Sequence, residues 1–194
     1  MTQYGFYYNQ DLCIGCMTCQ VACKDANDLP VGTLYRHVTG FETGTYPNVG
    51  RYLYSATCNH CEEPACVQIC PAEALYKDEE TGLVLLHEEN CTGCKSCMTI
   101  CPYQVPQYLE DKGIIGKCFA CTNAPGETNP ACVASCVTRA LEFGDVEELR
   151  SKHSGENLVQ DLPCLPPSSQ TSPSTLIMPR DAALEKEFSR DVCW

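Results

Sequence analysis

Sixteen of the chain's 18 cysteines fall into four blocks of four, and any fold proposed for these 194 residues has to be built around them. The blocks are Cys13, Cys16, Cys19 and Cys23; Cys58, Cys61, Cys66 and Cys70; Cys91, Cys94, Cys97 and Cys101; and Cys118, Cys121, Cys132 and Cys136. Only Cys164 and Cys193 stand apart. The first and third blocks read C-x2-C-x2-C-x3-C without alteration, whereas the second enlarges the gap from Cys61 to Cys66 and the fourth that from Cys121 to Cys132. Three cysteines at two-residue intervals make a loop able to wrap one face of a cubane with its amides turned to the sulfides, and a fourth three residues later sits at the start of a helix.

Two other chemistries use dense cysteine. Structural zinc takes separated pairs, each supplying two ligands to a tetrahedral ion, so a third cysteine two residues further on would be surplus. A disulfide scaffold belongs to small exported domains, and Cys13, Cys16 and Cys19 have no reason to crowd in one. Pro71 after Cys70 and Pro102 after Cys101 match the C-P ending of the bacterial ferredoxin run. Lys24 and Val137 follow the first and fourth blocks instead, which weakens the local turn there and leaves every ligand in place. The expectation is four [4Fe-4S] clusters.

Charge narrows the partners. The formal net charge is -12, from 25 acidic and 13 basic residues, and each cubane on four thiolates adds about two negative charges. That excludes a nucleic-acid role, which needs a basic footprint, and argues against docking on anionic lipid. The opening residues Met1 to Phe6 show neither a basic segment with an apolar run nor a twin arginine, and no stretch approaches membrane-spanning length. Export or membrane attachment would therefore depend on another chain, and the sequence leaves the location open.

The blocks are organised by a repeat. Pro64-Ala65-Cys66-Val67, running through Cys70 to Ala74-Leu75, recurs at the same spacing as Pro130-Ala131-Cys132-Val133, through Cys136 to Ala140-Leu141. The fold class expected is α+β, a duplicated bacterial-type ferredoxin fold of two double-cluster halves, with short helices and hairpins, many loops and an extended C-terminal tail. Met17, Val21 and Ala22 mark one face of a helix that also carries Cys19 and Cys23. Similar short helices are expected at Cys66 to Cys70, Cys97 to Cys101 and Cys132 to Cys136. Leu75-Tyr76-Lys77 and Leu83 to Leu86 read as a hairpin, and Tyr52-Leu53-Tyr54 as a short strand. Asp145 is placed to cap a helix reaching about His153, with Glu148 completing a capping box. Leu162 to Pro179, rich in proline and serine, is an extended strap over the body or over a partner. Asp181 is expected to cap a last short helix to Arg190.

Taken together, these features give a chain that resembles the four-cluster iron-sulfur electron-transfer (beta) subunits of the molybdopterin oxidoreductase family, in the branch of dimethyl sulfoxide reductase. The resemblance rests on Tyr4-Gly5-Phe6, the first quartet, Cys58-Asn59-His60-Cys61-Glu62 with Pro64-Ala65-Cys66, and Cys101-Pro102-Tyr103 with Pro106-Gln107-Tyr108. Lys117-Cys118, Ala140 to Gly144 and Leu176-Ile177-Met178-Pro179 extend it over nearly the whole sequence. It implies ligand exchange between nested quartets. Cys13, Cys16 and Cys19 with Cys136 would hold one cluster, and Cys118, Cys121 and Cys132 with Cys23 its neighbour. Cys58, Cys61 and Cys66 with Cys101 would hold the third, and Cys91, Cys94 and Cys97 with Cys70 the fourth. Residues 1–50 with 110–145 would then form one half, carrying quartets one and four. Residues 51–109 would form the other, carrying quartets two and three, and 146–194 a C-terminal helix and a proline-rich, partner-contacting extension.

The resemblance also implies a line of clusters, the Cys13 cluster beside a catalytic subunit with molybdopterin bis-guanine dinucleotide and the Cys91 cluster at the far end. A membrane anchor subunit or a soluble donor would dock at that end. No glycine-rich dinucleotide loop, phosphate loop or nucleophile with a spaced base is present in the sequence. The chain is therefore expected to have no catalytic residues and to be a non-catalytic subunit. A free-standing polyferredoxin serving several soluble oxidoreductases fits the cysteines equally well, but leaves the proline-rich tail without a task.

Outside the quartets, Lys95, Lys112 and Lys117 read as surface lysines, with Lys117 the best placed of the three to lie near a cluster. Tyr103 and Tyr108 read as packing around the loops. His60 is not needed as a ligand, and Cys164 and Cys193 read as plain thiols.

Overall fold

Strand β1 (Tyr4–Asn9) is the hub of the computed structural model, which describes residues 2–122 and 129–190. Successive side chains of a strand point to opposite faces, and here both faces are covered. Phe6 and Tyr8 enter the main core, while Tyr7 packs with Val146, Leu149 and Leu176 on the other side. Each aromatic ring so buried contributes about 1.5–3 kcal/mol of hydrophobic stabilisation. β1 is followed by helix α1 (Thr18–Ala26) and by a long hairpin, β2 (His37–Thr45) and β3 (Asn48–Ala56). Next come helix α2 (Ala65–Gln68), the hairpin β4 (Leu75–Lys77) and β5 (Val84–Leu86), and helix α3 (Ser96–Ile100). The hairpin β6 (Gln107–Leu109) and β7 (Ile114–Gly116) and helix α4 (Ala131–Ala134) lead to β8 (Leu141–Asp145) and helix α5 (Val146–Lys152). Strands β9 (Leu176–Met178) and β10 (Phe188–Arg190) close the described residues.

Two three-stranded sheets frame the molecule. In the first, β1 is central, antiparallel to β8 with Tyr8 opposite Leu141, and parallel to β9 with Tyr8 opposite Ile177. In the second, β2 pairs antiparallel with β3 over nine residues and with β10 at its other edge. The short hairpins β4–β5 and β6–β7 stand as separate two-stranded ladders. Helix α1 packs on α4, and α2 on α3.

The repeat read from sequence is a repeat of local geometry. Pro64 and Pro130 each precede a one-turn helix and accept N–H bonds from it, from Val67 at 3.0 Å and from Val133 at 2.8 Å. Glu73 and Arg139, three residues after Cys70 and Cys136, both take positive φ, 49° and 58°. Leu75 and Leu141 then start strands, and both are buried. Asp145 caps α5 as expected, its carboxylate accepting from Glu147 N at 2.9 Å and Glu148 N at 3.0 Å.

Two expectations change. Tyr52 to Tyr54 lies inside the nine-residue β3, because Gly40, Gly44 and Gly50 blur the alternation that would have marked the full hairpin. The helix expected from Asp181 to Arg190 is a single 3-10 turn, Asp181–Leu184, followed by β10. Glu185, Lys186 and Glu187 give that segment no apolar face, while the open edge of β2 and the ring of Phe41, 5.8 Å from that of Phe188, offer it a partner.

The proline-rich segment straps the body. The carbonyls of Ser172 and Thr171 accept from the amides of Glu62 (2.8 Å) and Glu63 (3.1 Å), and Ser174 N donates to Asn59 O at 3.0 Å. The hydroxyls of Ser174 and Thr175 add bonds to His60 O and Asn59 Oδ1. β1 can lie this close because residue 5 is glycine: a Cβ there would collide with the carbonyl of Ser174. Among the described residues no helix is long and apolar enough to cross a membrane.

Candidate functional site

The cysteine loops are shaped by left-handed backbone at fixed places. Gly15 and Met17 in the first block have φ of 70° and 59°, and Gly93 and Lys95 in the third have 66° and 64°. Such reversals two residues apart coil the backbone so that its amides can converge on an anion. In the second and fourth blocks, with their wider gaps, His60, Ala120 and Cys121 take the positive values. Thr18 and Ser96 follow the middle cysteines: Thr18 Oγ1 donates to Cys16 Sγ at 3.3 Å, and Cys94 Sγ and Ser96 Oγ are 3.5 Å apart. These hydroxyls lower the pKa of both exposed thiols.

The fold brings cysteines of different blocks together. Cys70 from the second block lines one cavity with Cys91, Cys94 and Cys97 from the third, among Leu75, Leu86 and Ile115. Ile115 N donates to Cys91 Sγ there at 3.4 Å. Cys66 faces Cys58, Cys61 and Cys101. Cys23 faces Cys118, Cys132 and Cys121, and Asn27 Nδ2 reaches Cys23 Sγ at 3.8 Å. Cys19 faces Cys13 and Cys132. Cys136 is buried in the core that also holds Cys19, with Cys13 packed against it, and Cys16 stands exposed.

The thiols fit a cationic group better than they fit each other. Burial, then the charge of neighbouring thiolates, pushes Cys66 up to about 12. Burial is also the main cause that takes Cys61 and Cys97 to about 11. Four such groups ionise together only around a core that carries positive charge. Thiols spread around a cavity suit a polynuclear cluster, whose irons and sulfides fill the space between them.

Two cations are part of the site. Lys117 is buried, not at the surface: its ammonium reaches Cys58 Sγ at 3.7 Å and Cys118 O at 2.8 Å, and also contacts Val84 O. Arg36, which the sequence did not single out, is fully buried beside Cys132, Cys19 and Cys118. Nothing around Arg36 in the sequence marks it, since all its partners come from elsewhere in the fold. Lys112 is exposed near Glu88, at 3.7 Å, and Lys95 lies over the Tyr108 ring, 3.8 Å from its centroid.

His60 is wholly buried, and its Nδ1 accepts the amide of Val84 at 3.1 Å. Burial, then the charges of Lys117 and Lys77, keeps its ring neutral by holding its pKa well below the usual histidine range. The ring thus braces the Cys58–Cys61 loop against β5. Cys164 is a half-buried thiol against the Tyr52 hydroxyl, and Cys193 lies outside the described residues.

Comparison with known proteins agrees with this construction. Residues 49–146 match the 4Fe-4S dicluster domain model and residues 10–32 a 4Fe-4S binding domain model. Over 187 residues the sequence is 42% identical to the B polypeptide of anaerobic dimethyl sulfoxide reductase from Escherichia coli (strain K12), covering 92% of this protein and 89% of that one. It is 37% identical over 193 residues to the protein of the same name from Haemophilus influenzae, covering 94% and 92%. With the B polypeptide of sulfite dehydrogenase from Allochromatium vinosum the identity is 33% over 176 residues, covering 79% and 73%. The class is thus that of proteins with 4Fe-4S dicluster domains. Within it, the chain belongs to the family of iron-sulfur electron-transfer (beta) subunits that includes the B polypeptide of dimethyl sulfoxide reductase. It is a non-catalytic subunit of an oxidoreductase.

Proposed function

We propose that this chain relays single electrons through four [4Fe-4S] clusters, between a molybdopterin bis-guanine dinucleotide catalytic subunit and a quinol-side or soluble redox partner. The observation that carries the reading is the cavity shared by Cys70, Cys91, Cys94 and Cys97, where one block supplies the fourth thiol to the loop of another. By the same exchange Cys58, Cys61 and Cys66 with Cys101 hold the third cluster. Cys118, Cys121 and Cys132 with Cys23 hold the second, and Cys13, Cys16 and Cys19 with Cys136 the first. The clusters supply one-electron carriers when bound.

The protein's own residues do the rest. The thiolates hold the irons, the buried rings of Phe6, Tyr8 and Tyr54 keep water from the first half, and Lys117 offsets negative charge between quartets two and four. Exposed Cys16 and Cys94 mark the two ends where a partner could approach. The packing of α1 on α4 and α2 on α3 supports a duplicated ferredoxin fold, with residues 1–50 and 110–145 as one half and 51–109 as the other. The β2–β3 hairpin ties the two across residues 50 and 51. In this reading the segment 146–194 braces the body and offers its outer face to the catalytic subunit or to an anchor subunit.

Anaerobic purification of the native complex tests the proposal. It should yield a large pterin-containing subunit and about sixteen iron and sixteen sulfide per copy of this chain, four of each for every cubane. A monomer that serves many donors, or an iron content of about twelve or fewer, would overturn it.

A further inference from the structure

Arg36 is the largest side chain buried to near completeness among the described residues, with 1% of its surface exposed. Its Nη1 donates to Ser55 O and Ser55 Oγ, both at 3.1 Å, and its guanidinium lies over the Phe6 ring, 4.7 Å from the centroid. The Ser55 hydroxyl is in turn 3.6 Å from Cys19 Sγ. The remaining donors, Nε and Nη2, meet no hydrogen-bond partner among the described residues. A buried cation with unused donors is strongly unfavourable unless something anionic lies beside it. What lies beside it are the thiols of Cys132, Cys19 and Cys118.

Those cysteines belong to two different quartets. We propose that Arg36 is a shared electrostatic bridge between the cluster held through Cys19 and the cluster held through Cys118 and Cys132, and that it raises the reduction potentials of both. The inference rests on the ligand sets proposed above for those two clusters. Its physics is direct: reduction adds a negative charge to a buried anion, and a fixed cation beside the sulfurs stabilises the reduced form. It also weakens the repulsion between two neighbouring reduced centres. Arginine suits the place because it stays charged and its planar fork holds its donors in a fixed geometry. Lys117 occupies the next gap, between Cys118 and Cys58, so the first two of the three gaps along the line each carry one buried cation.

The test is an anaerobic redox titration of the full-length, cluster-loaded protein followed by electron paramagnetic resonance, with iron and sulfide content measured in parallel. In Arg36→Gln, two of the four centres should show a reduced-to-oxidised ratio at least tenfold lower at fixed potential, about 59 mV for a one-electron couple. The other two should be unmoved. Arg36→Lys should retain all iron, with a smaller shift that is unequal between the same two centres. Full iron with all four centres unmoved in Arg36→Gln overturns the bridge and leaves the four-cluster reading intact. If Arg36→Gln loses iron, Arg36→Lys decides, and unmoved potentials there overturn it. A wild-type iron content below four clusters overturns the ligand assignment itself, whatever Arg36 does.

Discussion

The same cysteine loop sits in two very different surroundings. Around quartets one and four the protein builds two three-stranded sheets and a core of Phe6, Tyr8, Val38, Tyr52, Tyr54, Leu141 and Ile177. Around quartets two and three there are two short ladders, and the core is Leu75, Val84, Cys97 and Ile115. Two-stranded ladders are marginal on their own, and a metal site whose ligands are apart in the unfolded state supplies folding energy directly. The surroundings of quartets one and four are therefore built largely by apolar packing, and those of quartets two and three depend far more on what the cysteines hold.

The largest effect should come from removing that support. Stripping iron with a chelator under reducing conditions should cost the amides of β4 to β7 on the order of a hundredfold in hydrogen-exchange protection, while β1, β2 and β3 keep most of theirs. Equal loss in both sets of strands would break the comparison. A smaller contrast lies in the matched glycines. Gly93→Ala places a Cβ at positive φ against the backbone carbonyl of Gly113, whereas Gly15→Ala meets the movable end of Leu53 at 2.8 Å. Thermal unfolding of the loaded protein should show losses of about 2–3 kcal/mol and about 1 kcal/mol respectively, and the reverse order would contradict the packing described. The smallest effect belongs to the cap of α5. Asp145→Ala should cost about 1 kcal/mol, read in denaturant melts, and the loss should persist after iron is stripped because α5 rests on Tyr7 and Leu176.

Sequence patterns reached the parts of this structure that are decided locally. The short helices on the cysteines, the hairpin from Leu75 to Leu86 and the Asp145 cap each depend on a few adjacent residues. The parts missed depend on segments far apart in sequence. Leu176 to Met178 is three residues long and becomes a strand only because β1 offers an edge. Phe188 to Arg190 is a strand for the same reason at β2. Arg36 has no local mark at all, whereas its place beside Cys118 marks Lys117 as the lysine best placed to lie near a cluster, and only its burial under Val84 and Cys58 escapes the sequence.

The pairing of β1 with β8 and β9 also sets an order of assembly. The second and third cysteine blocks lie within the continuous stretch from Cys58 to Cys101, so all their cysteines are present as soon as that stretch has left the ribosome. The sheet on β1 encloses that stretch in sequence like a second pair of brackets: Tyr4 must wait for Asp145, and Tyr7 for Leu176. For most of its synthesis the nascent protein thus carries an unpaired, strongly apolar first strand, the kind of exposed edge that invites aggregation. A factor that shields Tyr4 to Asn9 until the C-terminal strap arrives would protect it during its most vulnerable interval.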